Sequence, residues 1–165
     1  MIRPKSSFHR PFYWPVNSDM SDDLLKLKAM MNKFDDSSFG FKIDKARMHA
    51  VGFSSGGFMA SRMAFSYPGL FKSLTSLGGG YYNCLASCPE DYEDSVHLPL
   101  IRDHPPTQLL HGRYDDIVPY EWSENYYENL KTNSNTDTNI FISNDGHAWI
   151  QNSEQLCLDW IHQHN

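Results

Sequence analysis

From about residue 46 to the end, segments typical of β-strands alternate with segments typical of α-helices. Short apolar runs predict strands, whereas apolar residues spaced three and four apart predict helices. This alternation favours a mostly parallel sheet flanked by helices, so we expect an α/β fold with three layers. The predicted strands cover 47–53, 73–77, 107–110 and 140–143, and the predicted helices run from 58 to the residues before Pro68, over 119–131 and over 150–163.

The remaining segments fit one domain that spans residues 1–165. Residues 1–17 are rich in proline and predict an extended arm. Residues 81–106 form a long irregular segment, which is either a substrate-facing loop or a surface connection. Residues 19–34 predict an amphipathic helix, with apolar side chains at Met20, Leu24, Leu27, Met31 and Phe34.

Charge and hydropathy exclude several classes of protein. The net charge is −6, and without a basic stripe a nucleic-acid partner is not expected. A membrane span is not expected either, because no apolar run reaches about 18 residues. The amino terminus lacks the apolar core of a secretory signal. Two locations are therefore compatible with the sequence. The protein is cytoplasmic, or it is secreted if a further segment precedes this chain.

The three cysteines do not indicate a metal site or a catalytic thiol. Cys84 and Cys88 lie close together, and Cys157 lies far from both. Free or buried thiols are the expectation, and a disulfide between Cys84 and Cys88 requires export. No pattern matches zinc-ligand spacing, so neither a metal nor an organic cofactor is expected.

Residues 52–57 contain the pattern G-x-S-x-G between a predicted strand and a predicted helix. In that context the pattern is typical of a tight turn that projects a serine hydroxyl beyond the sheet. Ser54 is therefore the candidate nucleophile, and the amide of Ser55 is a candidate oxyanion donor. Ser55 itself is a poor nucleophile candidate, because Phe53 and Gly57 occupy the positions two residues away on either side. The alternative is a glycine-rich turn that only packs a helix on a sheet.

Two later segments supply the other groups of a catalytic triad. Asp115 follows the third predicted strand, with Asp116 as the competing acid, and His147 follows the fourth. The order Ser, Asp, His is that of an α/β-hydrolase triad and differs from the chymotrypsin and subtilisin orders. In such a triad His147 takes the proton from Ser54, and the acid orients the imidazole.

Three motifs carry a resemblance to a known family. VGFSSGGFMA, LLHGRYDDIVPY and GHAW resemble the nucleophile elbow, acid segment and histidine segment of feruloyl-esterase and polyhydroxybutyrate-depolymerase-like α/β-hydrolases. The resemblance covers roughly residues 19–163. It implies a serine esterase in which Ser54 is the nucleophile, Asp115 the acid and His147 the base. It also implies that His111, in the H-G-x-x-D segment, is structural.

The family pattern also includes strands and a second oxyanion amide before the elbow, and nothing in residues 1–45 resembles them. The chain therefore resembles the carboxyl-terminal two-thirds of such an enzyme. The first strand would then present an uncovered edge, and a homodimer that pairs this edge is one expectation. Losing one oxyanion donor would lower turnover by about 10²–10³-fold.

Tyr81 and Trp149 follow predicted strand ends and are candidates for substrate binding, with core packing or helix anchoring as the alternative. We interpret the remaining histidines as surface or packing residues, because they lack metal-ligand spacing. They are His9, His49, His97, His104, His111, His162 and His164.

The first functional hypothesis is a carboxylic ester hydrolase of feruloyl or polyester type that works through an acyl-enzyme. A peptidase of the prolyl-oligopeptidase type shares the chain order of the triad but normally carries a large additional domain. The hypothesis from a different class is a truncated or degenerate hydrolase that serves as a non-catalytic interaction module. Covalent labelling or ester hydrolysis that disappears in Ser54→Ala would favour an enzyme. Equal hydrolysis rates in both proteins would count against one.

Overall fold

The computed structural model describes residue 2, residues 22–35, residue 40, residues 42–81 and residues 104–165. Most of the predicted arm at 1–17 and most of the segment at 81–106 lie outside the described residues. In chain order the described helices and strands are α1 (Asp22–Asn32), β1 (His49–Phe53), α2 (Ser55–Ser66), β2 (Ser73–Leu77), β3 (Thr107–Gly112), α3 (Glu121–Asn133), β4 (Thr138–Ser143) and α4 (Ser153–Gln163).

All four strands are parallel and lie side by side in the order β1-β2-β3-β4. Each residue of the central strands β2 and β3 is buried, as expected for parallel strands covered on both faces. The α/β fold predicted from the alternation is therefore confirmed. Within the described residues β1 is an edge strand, and a homodimer through that edge stays a prediction.

Helices α2 and α3 cover one face of the sheet. Ala50 and Leu74 pack against α2, whereas Leu109 packs against Tyr126 and Leu130 of α3. Because side chains alternate between faces along a strand, these strand residues all point to the same side. α1 adds a further contact through Leu27, which packs on α2.

Helix α4 covers the opposite face. Leu77 and Leu110 pack there with Cys157 of α4 and with Ile150, which precedes that helix. Burial raises the pKa of the free Cys157 thiol to about 11, so it is an unreactive core residue. Cys84 and Cys88 lie outside the described residues. Among the described helices, none combines the length and the apolar character that crossing a bilayer requires.

Several predicted boundaries differ from the observed ones. β1 begins at His49 and not at residue 47, because residues 45–47 form a 3-10 turn in which the Ala46 amide donates to the Asp44 carboxylate. β3 extends two residues further, to Gly112. α3 begins two residues after Pro119, and α4 begins three residues later than predicted. The described part of the first predicted helix, 22–32, falls within the predicted range.

Candidate active site

Ser54 occupies the tight turn between β1 and α2. Its backbone has φ 53° and ψ −123°, which a residue with a Cβ rarely adopts. Three backbone hydrogen bonds hold this conformation. The Ser54 amide donates to the Leu77 carbonyl at 2.8 Å, and the Ser54 carbonyl accepts from Gly57 and Phe58 at 2.8 and 3.2 Å. The strained turn is thus fixed by its surroundings, as is common at functional sites.

The first glycine of G-x-S-x-G is required by packing. A Cβ at Gly52 would overlap the carbonyl of Gly56, so the strand end and the first turn of α2 approach closely only with glycine there. The pattern predicted this turn between a strand and a helix, and the structure contains it. The turn places the Ser54 hydroxyl beyond the carboxyl end of β1, where ligands bind in open α/β sheets.

Asp115 follows β3 and its carboxylate is anchored at both oxygens. Oδ1 accepts hydrogen bonds from the amides of Ile117 and Val118 at 3.0 and 2.8 Å. Oδ2 lies 2.7 Å from Nδ1 of His147. Burial by itself raises the pKa of Asp115, but these hydrogen bonds outweigh it and hold that pKa below its usual value.

His147 lies in the loop after β4 and bridges the other two residues. Its Nε2 is 2.9 Å from Ser54 Oγ, while its Nδ1 faces the Asp115 carboxylate. Because a carboxylate only accepts, the proton of a neutral His147 belongs on Nδ1, and Nε2 accepts from the serine hydroxyl. The ring also packs on Phe53, with centroids 5.0 Å apart.

Gly112 lets the histidine loop reach the acid segment. A Cβ at Gly112 would overlap the carbonyl oxygens of Asp145 and Gly146, which immediately precede His147. The two loops are joined further by a 3.0 Å hydrogen bond from the Tyr114 amide to the Asp145 carbonyl. The structure therefore brings Ser54, Asp115 and His147 together in one hydrogen-bonded chain. Asp116, the competing acid, points outward and is exposed.

A profile of the phospholipase/carboxylesterase family matches residues 16–165. The chain belongs to the phospholipase/carboxylesterase family. Among curated relatives, a poly(3-hydroxyoctanoate) depolymerase of Pseudomonas fluorescens is 35% identical over 125 residues, covering 74% of this chain and 42% of that protein. Feruloyl esterase B of Thermothelomyces thermophilus is 28% identical over 135 residues, covering 68% of this chain and 44% of that protein.

The resemblance predicted from the three motifs is thus confirmed, and the chain spans less than half the length of these two relatives. Solved structures show the same fold. A carboxylesterase of Bacillus cereus matches with a TM-score of 0.65 at 17% identity, over 93% of this chain and 68% of that one. The esterase PE8 matches with a TM-score of 0.60 at 23% identity, over 84% and 60%.

The other predicted site residues are Ser55, Trp149 and Tyr81, and only the first two lie beside the triad in this member of the family. Ser55 is the first residue of α2, so its amide belongs to the positive end of the helix dipole. Trp149 is 55% exposed and stacks on Phe53 at a centroid distance of 5.5 Å, beside His147. An aromatic surface therefore borders the candidate serine.

Tyr81 does not join this group. It is 6% exposed and packs in the core with Leu109, Tyr126 and Leu130, between the sheet and α3. Its ring also meets Phe65 edge-on. This position corresponds to the packing alternative, because a ring enclosed by these neighbours presents little surface to a ligand.

The structure adds contacts from two residues that the sequence did not place in the site. His111 was interpreted only as structural, yet its Nε2 lies 3.1 Å from Asp115 Oδ2. Phe53 packs on both His147 and Trp149. The signal for His111 was the four-residue spacing to Asp115 across a glycine, which brings a strand-end side chain back to the acid.

Proposed function

We propose that this chain is a carboxylic ester hydrolase that works through an acyl-enzyme on Ser54. The observation that carries the proposal is the continuous contact from Ser54 Oγ to His147 Nε2 at 2.9 Å and from His147 Nδ1 to Asp115 Oδ2 at 2.7 Å. Membership of the phospholipase/carboxylesterase family supports the same chemistry.

In the first step Ser54 Oγ attacks the ester carbonyl carbon while His147 Nε2 takes the hydroxyl proton. The imidazolium that forms is stabilised by the Asp115 carboxylate. The tetrahedral intermediate then expels the alcohol, which leaves with the proton from Nε2. A water molecule repeats the sequence on the acyl-enzyme, so that the acid is released and the Ser54 hydroxyl is restored.

The negative charge that develops on the carbonyl oxygen needs donors that are already in position. We assign one of them to the backbone amide of Ser55, because it follows the nucleophile and begins α2. The low pKa of Asp115 keeps the acid ionised at neutral pH, as stabilisation of the imidazolium requires.

The aromatic side chains beside His147 support a proposal for the substrate class. Phe53 and Trp149 form a stacked aromatic surface next to His147, and an aromatic or extended apolar group of an ester would pack on it. The names of the two relatives fit such groups, since one acts on poly(3-hydroxyoctanoate) and the other is a feruloyl esterase. We therefore propose hydrophobic acyl or aryl esters as substrates.

The test is covalent labelling with a fluorophosphonate probe, read by intact mass. We expect one adduct on the folded chain, loss of that adduct in Ser54→Ala and an unchanged adduct in Ser66→Ala, a serine at the opposite end of the same helix. Hydrolysis of p-nitrophenyl esters of increasing chain length then measures acyl preference. A folded chain that takes no label, or takes it equally in Ser54→Ala, would contradict the proposal and favour a non-catalytic interaction module.

A further inference from the structure

His111 connects the acid of the site to the interior of the fold. It lies near the end of β3 and is fully buried, with Nε2 at 3.1 Å from Asp115 Oδ2 and 2.9 Å from the Val118 carbonyl. On the other side of the ring, Nδ1 lies 2.7 Å from Ser123 Oγ. The Ser123 hydroxyl also lies 2.7 Å from the carbonyl of Gly79.

The partners of His111 decide where its proton resides. Burial lowers the pKa of His111, even though bonds to the Val118 carbonyl and to Asp115 oppose the shift, so the ring is neutral at neutral pH. Both partners of Nε2 are acceptors, which places the single proton on Nε2. Nδ1 then accepts from the Ser123 hydroxyl, whose alternative acceptor is the Gly79 carbonyl.

Asp115 Oδ2 therefore has two imidazole donors. One is His147 Nδ1–H at 2.7 Å, and the other is His111 Nε2–H at 3.1 Å. A hydrogen bond donated to a carboxylate oxygen stabilises its charge and makes that oxygen a weaker acceptor for its second partner. The two histidines thus compete for the same oxygen, and one of them is the candidate base.

We propose that His111 is a positioning residue of this site, holding Asp115 Oδ2 in place and lowering the basicity that this oxygen presents to His147. The inference rests on the proposed function of the triad. Among the described residues, the titratable side chains bonded to Asp115 are His111 and His147. Those that act on His147 are Asp115, which is bonded to it, and His111, which interacts with it electrostatically. The Ser54 hydroxyl is bonded to Nε2 of His147, and the uncharged Phe53 ring lies against its face.

Two substitutions of similar size separate positioning from packing. His111→Gln keeps an N–H donor at the place of Nε2, and its amide carries two protons for the two acceptors there. His111→Leu fills the space without a donor. Ser123→Ala is a milder third variant that keeps His111 but removes the hydroxyl bonded to Nδ1, so that Nε2–H becomes a weaker donor.

The first readout is NMR titration of the His147 ring in 15N-histidine-labelled protein, assigned with His147→Gln. We expect the midpoint to move to higher pH in His111→Leu, by about half a pH unit or more, because Oδ2 becomes more basic. It should stay near that of the wild type in His111→Gln and move slightly upward in Ser123→Ala. No movement in His111→Leu and Ser123→Ala, or movement to lower pH, overturns the inference. If His111→Leu does not fold, Ser123→Ala decides alone.

The second readout is the pH profile of p-nitrophenyl butyrate hydrolysis. In His111→Leu we expect the acidic limb to move with the NMR midpoint and kcat to fall about three- to tenfold, with little change in KM. Equal rates in wild type and Ser54→Ala would contradict the proposed function. The NMR titration tests His111 independently, because it requires no turnover.

Discussion

Both ends of β3 carry a histidine network, and the two differ in where they lead. At the carboxyl end, Asp115 connects His111 to His147, which is partly exposed and reaches the Ser54 hydroxyl. At the amino end, His104 is 5% exposed and bonds to the Tyr126 hydroxyl at 2.8 Å and the Pro105 carbonyl at 2.9 Å. The first network ends at a strained, accessible serine, whereas the second closes within the core.

The difference shows that a hydrogen-bonded histidine alone does not indicate catalysis. His104 has no carboxylate among its bonded partners in the described structure, and burial lowers its pKa to about 4. Substitutions at Asp115 should therefore change kcat most. Those at the amino end should change stability with little effect on kcat.

The largest effect is expected for Asp115→Asn. The amide removes the charge that stabilises the imidazolium and can favour the wrong tautomer of His147, so kcat should fall by about 10⁴-fold. Steady-state hydrolysis of a p-nitrophenyl ester measures this fall, and thermal unfolding checks the fold. Asp116→Asn is the matched control, because that neighbour is exposed. Equal losses in both variants would refute the assignment of the acid.

Gly112→Ala should reduce kcat by about 10²-fold, because the added Cβ overlaps two carbonyl groups and displaces the histidine loop. Gly146→Ala provides the control in the same loop, since its Cβ would meet the Tyr114 carbonyl oxygen at 3.5 Å, an ordinary contact. Kinetics of both variants, with melting temperatures, separate the two positions. If Gly112→Ala turns over at the wild-type rate, the position of the histidine loop does not depend on its close contact with Gly112.

His104 should govern acid stability at the other end of the sheet. Its pKa is about 4 when folded and 6.5 when exposed, so the unfolded chain binds more protons between these values and stability falls as the pH falls. The loss should amount to about 3 kcal/mol between pH 6.5 and pH 4.

Urea unfolding of wild type and His104→Gln at several pH values from 4 to 7 gives the free energy of unfolding as a function of pH. The difference between the two slopes measures the contribution of His104. Specific activity at pH 7 should remain near that of the wild type. Equal slopes of unfolding free energy against pH would show that His104 is not a buried neutral group. A large loss of kcat in His104→Gln would show that the amino end of β3 also affects catalysis.

The smallest effect is expected for Trp149→Ala. Removing the ring that stacks on Phe53 should raise KM for aryl esters about two- to tenfold and leave kcat almost unchanged. Leu158→Ala, at another exposed apolar side chain, should leave both constants unchanged. If KM responds equally to both substitutions, Trp149 has no specific part in binding.

The alternation of strands and helices and the elbow were predictable because their signals are local. Residues 47–53 are rich in apolar side chains, and Gly52 to Gly56 combine a strand end, a serine and glycines in one segment. The start of α4 was less predictable. Ile150 is 4% exposed and resembles a helical core position, but the chain turns at Asn152, where φ is 65°.

The three residues of the candidate triad were predictable from the sequence, but the contacts that depend on packing were not. Spacing and chain order identified Ser54, Asp115 and His147, which the fold brings together. His111 was assigned a structural role because the family resemblance implied one, although its four-residue spacing to Asp115 could have indicated the contact between them. Tyr81 follows a predicted strand end, which suggested a place beside the site, yet it turns into the core beside Tyr126.

The contact between Ser54 and His147 joins residues 93 positions apart, and β2 and β3 lie between the strands that precede them. Such a pair forms only after the intervening chain has closed its loops and paired its strands. A slip of one residue in any strand would turn its side chains to the other face and separate the pair. If Ser54 reacts with a fluorophosphonate probe as proposed, the recovery of labelling after dilution from denaturant should therefore report when β4 pairs with β3.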